Sequence, residues 1–164
     1  MPSFFEIFAS RKGRLAEGRD LGRVGPEAIV KTINKAVLFL QAEVAKRTPR
    51  GATGLLRGSI ASEVRGRGAS ITGIVGTPFI YGLPVETGTR PHFPPPDALV
   101  PWVRRKLGLA GEEALSVAFL IARVISRRGT KGARMFARTL KEEGRKLDSI
   151  LDEIVPEMID ELES

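Results

Sequence analysis

The chain has 164 residues, room for one compact domain and little more, and its 42% apolar content supports a sizeable core. It holds no cysteine and one histidine, His92, which excludes disulfides, thiolate metal sites, a multi-histidine metal site within one subunit and any triad needing a second imidazole. The net charge of +7 is unevenly spread, with 24 basic and 10 acidic side chains in residues 1–141 but 2 and 9 in residues 142–164; this predicts polyanion contact, docking of one subunit's tail on another's body, or simply two solvated faces.

The chain opens on Phe4-Phe5-Glu6-Ile7-Phe8, an apolar hook too short and interrupted for a signal-peptide core. A Gly- and Arg-rich connector follows and ends at Gly25-Pro26. A long helix is expected next, with Pro26 in its first turn and Glu27 complementing the positive end of its dipole. Val30, Ile33, Val37, Leu40 and Val44 recur at three- and four-residue spacing and form one core-facing stripe, which Pro49 ends.

Residues 48–58 are turn-rich, with Gly51, Gly54 and Gly58. Two short strands are expected at 59–65 and 70–77, joined by Gly66-Arg67-Gly68 as a hairpin tip. Ile60 and Val64 share one face of the first, Ile71 and Val75 one face of the second. Residues 79–86 read equally as more sheet or a turn of helix. A Thr-, Gly- and Pro-rich loop occupies 87–97 and closes on Pro94-Pro95-Pro96, which favours an extended backbone.

Asp97 is expected to cap a short helix over 98–107, with Leu99, Trp102, Val103 and Leu107 inward. Another helix begins near Glu112, with Leu115, Ala118, Phe119, Ala122 and Ile125 on one face and Gly129 as its stop. After the basic turn Gly129-Thr130-Lys131-Gly132, a last helical region runs from Ala133. Its Leu140, Leu147, Leu151, Ile154 and Met158 suit either a core or a seam with a neighbouring helix, weakened by Gly144 and Pro156. The longest apolar run, residues 117–122, is about six residues against the roughly 20 of a membrane helix, so a soluble, cytoplasmically made protein without membrane contacts is expected. The fold class read from this order is α+β: a long N-terminal helix on a small antiparallel sheet, then further helices and an acidic C-terminal helix. The divisions are an arm over 1–25, a main domain over 26–141 and an acidic helical extension over 142–164.

Signs of catalysis are weak. Gly51-Ala52-Thr53-Gly54 lacks the phosphate-loop pattern, and no Gly-Lys-Ser/Thr occurs. Glu86 and His92 have neither nucleophile nor metal partner, and a carboxylate accepting backbone N–H bonds in the turn is the stronger reading of Glu86. No catalytic residue, metal or cofactor is expected. Arg57, Arg65, Arg67 and Arg90 lie in or near the hairpin and proline loop; further cations cluster at Arg104-Arg105-Lys106 and around 127–134. They suit sequence-neutral phosphate contact, or equally a solubilising surface and inter-subunit ion pairs.

Two segments carry a resemblance. Thr48-Pro49-Arg50-Gly51-Ala52-Thr53-Gly54-Leu55-Leu56-Arg57-Gly58-Ser59-Ile60 is similar to the "Pro, then Thr-Gly-x-Leu-x-x-Ser" passage after the long helix of gp-ten-like head–tail joining proteins (neck or tail-completion) of long-tailed bacteriophages. Tyr81 with Val85-Glu86-Thr87-Gly88-Thr89-Arg90-Pro91-His92-Phe93 resembles that family's "Tyr…Val-Glu-x-Gly-Thr" signature before a proline-rich loop. Ala133-Arg134-Met135-Phe136 stands where many members have Pro-Phe. The resemblance spans about residues 26–141 and implies a non-enzymatic virion protein, made in the host cytoplasm. It would form a ring, six- or twelve-fold, around the DNA passage at the head–tail junction, beside portal-side, neck or tail proteins. Thr53, Gly54, Leu55, Ser59, Tyr81, Glu86, Gly88, Thr89 and Pro91 are its assembly-motif residues; Arg57, Arg65, Arg67 and Arg90 are the candidates to face duplex DNA. The rival readings are a sequence-neutral nucleic-acid-binding module and, less well supported, a small hydrolase or nuclease.

Overall fold

A computed structural model describes residues 26–67 and 70–153. The hook and connector, residues 68–69, and Ile154, Pro156 and Met158 lie outside them. The first helix, α1, spans Pro26–Arg47. Its apolar stripe does bury Val37 and Val44, while Val30 at the start is 38% exposed. Thr48 ends it by turning its hydroxyl back to Val44 O, 2.7 Å away, and Pro49 follows with no N–H to continue the ladder.

A single turn, α2 (Leu55–Gly58), leads into the hairpin of β1 (Ala61–Arg67) and β2 (Ser70–Gly76). The pair is antiparallel, with Ser62 opposite Val75 and Val64 opposite Gly73. α1 lies against this hairpin, and Gly73 is what lets it approach. A Cβ at Gly73 would fall 2.3 Å from Val37 Cγ1 and 3.1 Å from Ile33 Cγ2. Gln41 adds a polar tie, donating to Ile60 O at 3.1 Å and accepting from Ser62 Oγ at 2.6 Å.

The last helix, α6 (Met135–Asp152), runs antiparallel beside α1. Arg47 binds Glu142 and Glu143 near one end of the pair, and Lys35 binds Glu153 at the other. Between helices and hairpin lies the main core of Val44, Leu56, Ile60, Met135 and Phe136, with Val75, Phe79 and Val85 against it. The fold is α+β, as the sequence order predicts.

A second core belongs to a helical hairpin of α4 (Pro96–Leu107) and α5 (Gly111–Arg128). Val103, Ala114 and Ala118 are fully buried in it, beside Leu99, Val100 and Val117. Between the two cores sit a helical turn, α3 (Gly82–Thr87), and a two-residue ladder in which β3 (Gly88–Thr89) pairs antiparallel with β4 (Thr130–Lys131).

Several expectations change. Gly66 and Arg67 continue β1, paired with Ile71 and Ser70, so they are not the hairpin tip. Ser59 precedes β1 as the C-cap of α2. Residues 79–86 resolve into a loop and α3, not sheet. Asp97 is no cap: Pro96 begins α4 after Pro95, and Asp97 sits in its first turn. The inner face of α5 runs along Ala114, Ala118 and Ala122, which brings α4 close and turns Leu115 and Phe119 outward at 44% and 49% exposure. In α4, Val103 takes the inner position, while Trp102 and Leu107 are 37% and 51% exposed. Gly144 does not interrupt α6, which also continues unbroken through 141–142, where the composition turns acidic.

Candidate assembly site

The two segments that carry the resemblance come together between the two cores. Gly54 adopts φ 78°, a left-handed conformation that starts α2. Thr53 Oγ1 accepts from Leu55 N–H at 3.3 Å. Ser59 joins a hydroxyl relay: Phe79 N–H donates to Thr77 Oγ1 at 3.2 Å, Thr77 lies 2.7 Å from Ser59 Oγ, and Ser59 donates to Leu56 O at 2.8 Å. Ser59 therefore locks the first motif to the end of β2 and faces inward. Leu55, by contrast, is 58% exposed.

Glu86 is buried and accepts backbone N–H bonds, but from fifty residues downstream rather than from its own turn. Phe136 N–H and Ala137 N–H donate to its two carboxylate oxygens, both at 3.0 Å. These are orphan donors at the first turn of α6, so a carboxylate brought from α3 supplies the cap that the local sequence lacks. The backbone adds two further bonds, Ala133 N–H to Val85 O at 2.7 Å and Arg134 N–H to Glu86 O at 3.0 Å. Arg134 holds φ 51°, the one non-glycine residue at positive φ among the described residues.

Gly88-Thr89 and Gly129-Thr130 then interlock nearly symmetrically. Thr89 N–H donates to Thr130 Oγ1 and Thr130 N–H to Thr89 Oγ1, both at 3.1 Å, and the two hydroxyls are 3.0 Å apart. Only glycine fits between the strands: a Cβ would lie 2.3 Å from Thr130 O at Gly88 and 2.0 Å from Thr89 O at Gly129. The proline loop beyond is fixed by Phe93 edge-on to Phe119 at 5.9 Å, and by His92, whose Nδ1 donates to Arg90 O at 2.9 Å. Pro91 is exposed within it. With both Glu86 oxygens committed to α6 and His92 turned to its own loop, the two make no acid–base pair.

Beside this lock lies a groove of about 940 Å³, walled by Leu55, Leu56, Tyr81, Val85, Leu99 and Trp102. Tyr81 stacks on Phe79 at 5.0 Å. Arg105 donates to Ala52 O, tying the 48–58 loop to α4 across it. Ile80, at 81% exposure, is the most open of the large apolar side chains nearby.

The four arginines read as DNA-facing are spread out. Arg57 is on α2, at the base of the hairpin; Arg65 and Arg67 lie toward its far end, roughly 15–20 Å along β1 at ~3.3 Å per residue. Arg65 is paired with Glu63 at 2.7 and 2.8 Å, and it holds the Glu63 carboxyl below the usual carboxylate range. Arg90 is exposed after β3. No cluster of three metal-ligating side chains, and no helix long and apolar enough to cross a membrane, occurs among the described residues.

Sequence reasoning missed the β3–β4 ladder and the long-range cap. The signal for the cap was a missing one: Gly132-Ala133-Arg134 offers α6 no Ser, Thr, Asp or Asn at its start. Compared with protein-family models, curated proteins and solved structures, the chain matches none.

Proposed function

We propose that this chain is a structural subunit of the head–tail junction of a long-tailed bacteriophage, a neck or tail-completion protein assembling as a ring around the DNA passage. The observation that carries this reading is where the family-like residues fall. Glu86, Gly88, Thr89 and Ser59 build a rigid lock, and Leu55 and Tyr81 stand exposed beside one apolar groove with Ile80. A ring subunit needs that combination: a body that does not deform and apolar side chains left open for a neighbour. The exposed basic residues suit weak, sequence-neutral contact with duplex DNA in a channel.

The test is negative-stain microscopy with mass measurement on the protein, alone and mixed with portal, neck and tail components of its source. Rings, or one discrete tier added to those components, are the expected result. Ile80→Ser should abolish that assembly while shifting stability by no more than about 0.5 kcal/mol, as for other surface changes. A persistent monomer that ignores those components and binds duplex DNA at moderate salt would overturn the proposal in favour of a nucleic-acid-binding module.

A further inference from the structure

The groove beside the lock is larger than local packing requires. Its volume of about 940 Å³ is at the upper end of the roughly 300–1,000 Å³ of sites that enclose a drug-sized ligand. Leu55, Tyr81 and Trp102 line it and remain 58%, 41% and 37% exposed. Arg50 and Lys131 line it too, and neither makes an ion pair with a described residue. The chemistry such a surface fits is a short, strongly apolar segment carrying one carboxylate.

The chain supplies one. Three of its eight phenylalanines fall within residues 4–8, together with Ile7, and Glu6 is the one acidic residue before Glu17. The connector from 9 to 25 contains four glycines. Its 17 residues can span at most about 60 Å. Its own groove begins at Pro49, beyond the far end of α1, whose 22 residues span about 33 Å. Reaching that groove takes more than half of the connector's greatest possible span, laid along a helix already flanked by the hairpin and α6. A neighbour whose groove lies near the start of α1 makes no such demand, and a head-to-tail contact of this kind is what builds a ring when its rotation closes.

From this, and resting on the ring reading above, we infer that Phe4-Phe5-Glu6-Ile7-Phe8 of one copy seats in the groove of the adjacent copy, with Glu6 meeting Arg50 or Lys131. The groove is thus the receiving half of a subunit-to-subunit latch, and the N-terminal arm is its bolt.

The absence of native cysteine makes the test clean. Full-length Ser3→Cys and Ala98→Cys proteins, one of them affinity-tagged, are mixed under the conditions used for microscopy and treated with a short bis-maleimide. The expected product is a Ser3→Cys/Ala98→Cys heterodimer, lost when Phe4, Phe5 and Phe8 of the first chain are also changed to Ser. Trp102, the one tryptophan, gives an independent readout. In the triple Phe→Ser chain its emission should move to the red, and its acrylamide quenching constant should rise about twofold as the indole loses its cover. Rings without the heterodimer would overturn the latch and leave the ring reading standing; neither rings nor heterodimer would overturn both. Cross-linking confined to a third protein, with Ser3→Cys and Ala98→Cys in one chain, would place the arm in its own groove and likewise overturn the latch.

Discussion

Replacing Glu86 separates a structural lock from an assembly contact. In Glu86→Ala the N–H groups of Phe136 and Ala137 lose both acceptors at 3.0 Å, and Phe136 is only 6% exposed, so water is a poor substitute. A hydrogen bond to a charged group contributes about 1.5–3 kcal/mol, an N-cap typically about 1 kcal/mol, and a buried donor left unpaired costs about 1–3 kcal/mol. These overlap because the two bonds share one carboxylate, which gives a net loss of about 2–4 kcal/mol. Glu86→Gln keeps one carbonyl acceptor but loses the charge that faces the helix N-terminus, and should cost about half as much. Urea unfolding followed by circular dichroism measures both; the midpoint should fall with the slope unchanged, and Tm should drop by roughly 4–16 °C for alanine at 2–4 °C per kcal/mol. Were Glu86→Ala to stay within about 0.5 kcal/mol of the parent, the capping account would be wrong. If the same protein also failed to assemble, Glu86 would be a contact residue instead.

Other substitutions probe the remaining joints. Gly73→Ala puts a methyl 2.3 Å from Val37 Cγ1 and should cost about 1–3 kcal/mol as overpacking between α1 and β2, read as a lower urea midpoint. Gly129→Ala combines φ 66° with a Cβ 2.0 Å from Thr89 O and should cost about 2 kcal/mol or more; amide exchange should show 88–89 and 130–131 unprotected first. Arg47→Met tests the ion network. Lys46 first and Arg47 second hold Glu43 below its ordinary value of 4.5, while Arg47 and then Arg138 do the same for Glu142. Depressed carboxylates contribute stability that is present above their unfolded pKa and lost as pH falls through the folded one. The Tm loss of Arg47→Met should therefore be a few degrees at pH 7 and shrink toward pH 3; an equal loss at both would refute the electrostatic origin.

What could be read in the sequence tracks the range of the interaction. α1 was legible because its stripe, proline start and proline stop are all local. Strand positions are legible to within two residues, though Gly66 reads as turn while its partner Ile71 keeps it in the ladder. On α5 the alanines of the expected face, Ala118 and Ala122, do go inward, but Leu115 and Phe119 beside them do not. Helices that meet closely do so on their small residues, so Ala114 and Ala118 go in and Phe119 goes out. The acceptor role of Glu86 follows from residue type and setting, but its donors do not. A carboxylate's partners fifty residues away leave no spacing in the chain.

That same logic bears on how the motif residues divide. Ser59 bonds Thr77, Glu86 bonds α6 and Thr89 bonds Thr130 at 2.7–3.1 Å, with Gly88 packed against the Thr130 carbonyl, so a substitution there acts on the body first and on any neighbour only through it. Leu55 and Ile80 face outward, as does much of Tyr81, so changing Leu55 or Ile80 should leave the body intact. A family-like string of residues is thus two sets with opposite physical signatures, one read by denaturation and the other by assembly. Glu86→Ala should lose stability and then assembly in proportion, whereas Ile80→Ser should lose assembly alone. Measuring both on the same preparations turns a resemblance of letters into a separation of roles.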